Sequence, residues 1–95
     1  MRRVHWTSPA ERDLQVIDDY WCGFGVARAD EALDSIRAAG DFLARLPKAG
    51  PALEEKDARK WLVGGADYIL IYRLVEGGIQ VLRVRHASEH WLTDS

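Results

Sequence analysis

A β-hairpin is written into residues 68–86, and it constrains the rest of the chain. Tyr68-Ile69-Leu70-Ile71-Tyr72-Arg73-Leu74-Val75 is rich in β-branched and aromatic residues, the composition that a pleated, half-buried surface favours. Gly77-Gly78 follows with the chemistry of a tight hairpin turn, and Ile79 to His86 returns as the last strand. With a two-residue loop, odd positions on one strand pair with even positions on the other. Side-chain alternation then places Ile69, Ile71, Arg73, Val75, Leu82, Val84 and His86 on one face. Tyr68, Leu70, Tyr72, Leu74, Ile79, Val81, Arg83 and Arg85 take the other. Both faces are largely apolar, so each needs a cover.

The residues before the hairpin supply one cover. Arg3-Val4-His5-Trp6 reads as a short first strand. Thr7-Ser8-Pro9-Ala10-Glu11 then starts a helix, with Ser8 as cap, Pro9 at the first position and Glu11 completing a capping box. Ala10, Leu14, Ile17 and Trp21 form one apolar stripe, and the helix runs to about Trp21. Gly23-Phe24-Gly25 breaks it. A second helix from Val26 to Leu46 carries Ala29, Leu33, Ile36, Gly40 and Leu43 at alternating spacings of four and three, the seam of two antiparallel helices. Gly40 costs roughly 1 kcal/mol of helix propensity relative to Ala, and close approach to the first helix is the expected return. Pro47 ends the helix, and Arg59 to Val63 reads as another strand before a Gly64-Gly65 turn. A helical turn is expected at Ala87 to Trp91. The order is β-α-α-β-β-β: an α+β fold, with an N-terminal helical hairpin packed on one face of a small, mainly antiparallel sheet. The chain has 95 residues, one domain spanning 1–95, and can bury about 64% of the surface it exposes unfolded. A helical hairpin covers one sheet face. The other is then either a protein-binding surface or lies under the 47–57 loop and the C-terminal turn.

Composition excludes several classes. Apolar content of 47% and a net charge of −2 fit a folded domain rather than a disordered one. The longest apolar run, Tyr68 to Tyr72, is far short of the ~20 residues that span a bilayer, so no membrane association is expected. The basic N-terminus Met1-Arg2-Arg3 has no apolar segment behind it, unlike a secretory signal, and a cytoplasmic location is the expectation. Cys22 is the single cysteine, which allows no internal disulfide and no Cys-based zinc site. The pI near 5.9 disfavours direct nucleic-acid binding. Charge is nevertheless uneven: residues 1–57 hold eight Lys/Arg against eleven Asp/Glu, and residues 58–95 five against four. A locally basic second half points to an anionic partner.

Two catalytic patterns occur in outline. His86-Ala87-Ser88-Glu89-His90 matches the inverted zinc-protease motif, but the chain ends five residues later, leaving no room for the downstream third ligand. No metal or cofactor is expected. A metal-free ribonuclease would need a base, an acid and cations for the phosphate. His86, Glu89 and His90 could supply the first two, and Arg73, Arg83 and Arg85 the third. Each also has a plainer reading: a strand-end arginine at the surface, a hydrogen-bonded core histidine. Cys22 has no His neighbour in sequence and is read as packing beside Trp21. Trp61 and Trp91 could stack bases but fit core or interface positions.

Three local patterns occur in a specific order. Val4-His5-Trp6-Thr7-Ser8-Pro9-Ala10-Glu11-Arg12-Asp13-Leu14 leads into a helix. Leu46-Pro47 and Gly50-Pro51 precede Arg59 to Leu62. Tyr68 to Leu74, the Gly77-Gly78 turn, Val81-Leu82-Arg83-Val84-Arg85-His86 and Trp91 close the chain. Together they resemble the RelE/ParE toxin superfamily of bacterial type II toxin–antitoxin modules, over nearly the whole length. RelE-like members are ribosome-dependent messenger RNA nucleases, whereas ParE-like members share the fold and poison DNA gyrase with no hydrolytic site of their own. The nucleases place a basic residue where this chain has Ile69, another where it has Ala87, and a Tyr where it has Trp91, so the sequence looks more like ParE. The resemblance implies a gyrase-directed toxin, neutralised by an antitoxin (ParD-like or similar) in a hetero-oligomer. Ile69, Ile71, Arg73, Leu82 and Val84 are then the candidate antitoxin contacts, and Arg83, Arg85, His86 and Trp91 the candidate target contacts. The alternatives are a RelE-like nuclease and a non-toxic antitoxin-binding module.

Overall fold

The computed structural model describes residues 3–53 and 57–88. Its elements are β1 (Arg3–Trp6), α1 (Ser8–Cys22), α2 (Val26–Arg45), β2 (Arg59–Leu62), β3 (Tyr68–Val75) and β4 (Gly78–His86). The four strands form one mixed sheet in the order β1-β4-β3-β2. β1 runs parallel to β4, while β4 to β3 and β3 to β2 are antiparallel. The fold is the expected α+β arrangement.

The helix start differs from the sequence expectation by one residue. Thr7, not Ser8, is the cap: its Oγ1 accepts from the Ala10 amide at 3.3 Å. The same hydroxyl donates to the Val81 and Leu82 carbonyls at 2.9 and 3.0 Å. Thr7 wins the cap because it also fastens the helix to β4, which Ser8 is not placed to do. Ala10, Leu14 and Ile17 of α1 are buried, as are Ile36, Ala39, Leu43 and Ala44 of α2. They pack on Leu70, Tyr72, Ile79, Val81 and Val84 of the central strands. Trp61 faces the same side, stacked on Phe42 with ring centroids 5.3 Å apart. Gly40 does serve close approach, but to β1 rather than to α1. A Cβ there would meet the Trp6 ring at 3.0 Å and a Val4 methyl at 3.4 Å.

The hairpin loop is Glu76-Gly77, since Val75 pairs with Gly78. Gly77 has φ +82°, which fits the third position of a type II turn. Gly78 is required by neighbour contact: β1 crosses so closely that a Cβ would overlap the Arg3 backbone. Beyond the end of α2, the 46–52 loop is tied down by Tyr72, which belongs to the core beneath the helices. Its hydroxyl donates to the Pro47 carbonyl at 2.6 Å and accepts from the Gly50 amide at 3.0 Å. Arg59 adds a bond to the Gly50 carbonyl at 2.7 Å.

Candidate binding surface

A β-bulge decides which residues share the open face. Pairing is regular from Val75↔Gly78 to Tyr72↔Val81, and resumes at Ile71↔Arg83 with Leu82 left over. One extra residue inverts the alternation of everything after it. Val84 therefore turns inward, 4% exposed, into the core beneath the helices. Arg83 and Arg85 turn outward, pairing with Ile71 and Ile69. This corrects the face assignment read from strict alternation. Val84 and His86 do not stand with Ile69, whereas Arg83 and Arg85 do. As a candidate antitoxin contact, Val84 is removed by its burial.

The signal for the bulge lies on α1. Asp13 occupies the place β1 would take if it continued alongside β4. Its carboxylate accepts two hydrogen bonds from Arg83, at 2.8 and 2.9 Å, and one from the Val84 amide at 2.9 Å. An acid thus replaces a strand partner at the bulge. Burial works against the Asp13 carboxylate, but the bonds from Arg83 and Val84 and the charges of Arg83 and Arg85 outweigh it and hold its pKa below the ordinary value. Sequence alone could not pair Asp13 with Arg83, because seventy residues separate them.

Among the described residues the face away from the helices is uncovered, and this open face joins residues from all four strands. Lys60 flanks Ile71 and Leu62 flanks Ile69 from β2, while Arg73 pairs with Gln80, which in turn pairs with His5 of β1. Leu62 is 60% exposed, Ile69 and Leu82 are half-buried, and Arg73 is exposed. Ile71 is covered, at 6% exposure, although it lies outside the core cluster. No Asp or Glu occurs among the strand positions on this face, so it is apolar and basic. Among the described residues, neither Lys60 nor Arg73 has an ion-pair partner.

His86 sits on the helix side. Its ring meets Tyr68 edge-on at 5.5 Å, its Nδ1 lies 2.6 Å from the Ser88 hydroxyl, and it lines a cavity of about 260 Å³ with Trp21, Arg28, Glu31 and Asp67. The nuclease constellation is therefore split, with His86 across the sheet from Arg73, Arg83 and Arg85. Glu89, His90 and Trp91, with most of the expected C-terminal turn, lie outside the described residues. Cys22 is exposed. Partial desolvation, then the carboxylates of Asp18, Asp19 and Asp30, raise its thiol pKa, the opposite of what a reactive thiol needs. Among the described residues no three His, Cys, Asp or Glu side chains cluster as metal ligands, and no helix is long and apolar enough to cross a membrane.

A helical hairpin over one face of a four-stranded mixed sheet, with the second face apolar and basic among the described residues, defines a small α+β domain of the toxin–antitoxin kind. The family model of the ParE toxin of the type II toxin–antitoxin system parDE matches residues 4–91, and the chain belongs to that family. It is 33% identical over 88 residues to Toxin RelE2 of Caulobacter vibrioides, covering 93% of this chain and 98% of that one. Its fold matches a chain of the chromosomal ParDE toxin–antitoxin system from P. aeruginosa with a TM-score of 0.80, at 24% identity, over 93% of this chain and 98% of that chain.

Proposed function

We propose that this ParE-family toxin poisons DNA gyrase and is held inactive by an antitoxin segment seated on the open sheet face. The observation that carries the antitoxin half is the face itself: Leu62, Ile69 and Leu82 beside Lys60 and Arg73, with no acid among them. An amphipathic segment with acidic residues complements that surface in shape and charge. Of the contacts expected from sequence, Ile69, Arg73 and Leu82 carry this role, Ile71 lends a covered floor, and Val84 drops out. Arg83 and Arg85, expected at the target, share the face. An antitoxin bound there masks them, so neutralisation works by occlusion. The gyrase half is supported by family membership, and among the described residues His86 is separated from the arginines of the basic face.

The same basic face favours one other reading, a ribosome-dependent nuclease that grips RNA phosphates, and the relative named RelE2 leaves it open. Induced expression without the antitoxin separates the two. The proposal expects a DNA-damage response with translation continuing. Immediate translation arrest with cleaved transcripts favours the nuclease.

A further inference from the structure

The helical hairpin exposes, at its tip, large apolar side chains that the core does not use. Tyr20 is 58%, Phe24 64% and Val26 69% exposed. Around the three-residue Gly23–Gly25 connection the aromatic rings pack together: Tyr20 to Trp21, Tyr20 to Phe24 and Trp21 to Phe24 have ring centroids 5.2, 5.4 and 5.5 Å apart. Trp21 anchors the group, its Nε1 donating to the Tyr68 hydroxyl at 2.8 Å. The patch is therefore preorganised, and a partner would not have to order it. Contiguous exposed aromatics of this kind mark protein interfaces. Asp18, Asp19, Asp30 and Glu31 flank it along the chain, with Arg28 the one base between residues 18 and 31. Three of these carboxylates are close enough to raise the Cys22 thiol pKa.

We infer that this tip docks the toxin's target protein, in an apolar cleft rimmed by Lys and Arg, at a site distinct from the antitoxin face. The charge selects the occupant. Four carboxylates repel a phosphate backbone and an acidic antitoxin segment, and two copies of the same acidic tip repel each other. A basic-rimmed protein cleft satisfies both the aromatic centre and its fringe. The inference rests on the toxin reading above.

The test combines Phe24→Ser with Tyr20→Ser, both at exposed positions, and separately Asp19→Lys with Asp30→Lys. Viable counts are read after induced expression, next to antitoxin affinity, melting temperature and solution mass of the purified chain. The aromatic pair is expected to lower killing by at least about tenfold, as loss of interface anchors does, with antitoxin affinity and melting temperature unchanged. The lysine pair is expected to lower killing too. Undiminished killing by the aromatic variant overturns this inference while the toxin reading stands. Loss of antitoxin binding in step with killing would assign the tip to the antitoxin, and stronger killing by the lysine variant would assign it to nucleic acid. A concentration-dependent dimer abolished by the aromatic pair would assign it to self-association. A wild-type chain without any growth effect overturns the toxin reading and this inference together.

Discussion

Tyr72 shows how a single polar atom organises a loop. Its ring is fully buried, while its hydroxyl pairs at once with the Pro47 carbonyl and the Gly50 amide. Burial raises its pKa, more than the Gly50 bond and the Arg59 charge lower it. Tyr72→Phe leaves both backbone groups unpaired and is expected to cost about 1–3 kcal/mol in denaturant unfolding. Asp13 makes a charged counterpart. Its folded pKa lies below the unfolded value of about 3.9, so its contribution is fully present above that pH and lost as pH falls through the folded pKa. Wild-type stability should therefore drop below about pH 4 more steeply than that of Asp13→Asn, and equal slopes would contradict the assignment. Arg73 is exposed and pairs with no acid among the described residues. If an antitoxin carboxylate meets it in a desolvated site, Arg73→Ala should weaken antitoxin binding by about 2–5 kcal/mol. Titration calorimetry showing a loss below ~0.5 kcal/mol would remove it from the interface.

At the scale of elements, the bulge in β4 does most to shape the open face. It sends Val84 inward and Arg83 and Arg85 outward, and Asp13 of α1 fills the strand-pairing site beside it. Deleting Leu82 would remove the unpaired residue and close the ladder from Tyr72↔Val81 to Ile71↔Arg83, leaving Val84 inward and Arg83 and Arg85 outward. The expected outcome is cooperative unfolding by circular dichroism, because Val84 stays in the core; loss of cooperativity would contradict this register. Val84→Ala and Ile69→Ala should separate the faces: the first costs about 2 kcal/mol or more of stability, and the second much less, while only the second weakens the antitoxin. The elements were legible in the sequence because each carries local signals: alternation in β3, the Pro9 start of α1, the α2 seam broken by Pro47. The bulge was not legible, since its cause is a contact between Asp13 and residues 83–84. The same holds for Thr7 as cap and for Gly40 against Trp6, which both depend on where β1 and β4 lie.

For the whole molecule, charge and apolar surface are sorted to separate regions. The open sheet face is apolar and basic, while the hairpin tip is aromatic and fringed by acids. A net charge of −2 conceals this division, which is why composition alone pointed only weakly to an anionic partner. On the proposed reading, two surfaces of opposite charge on one small domain keep an acidic inhibitor and a basic-rimmed target apart. The most direct test of the account is supercoiling of relaxed plasmid by purified gyrase with ATP, titrated with the antitoxin-free protein and checked for folding. The account predicts accumulation of linear, gyrase-cleaved DNA, reversed by adding antitoxin. Undisturbed supercoiling by folded protein would contradict it.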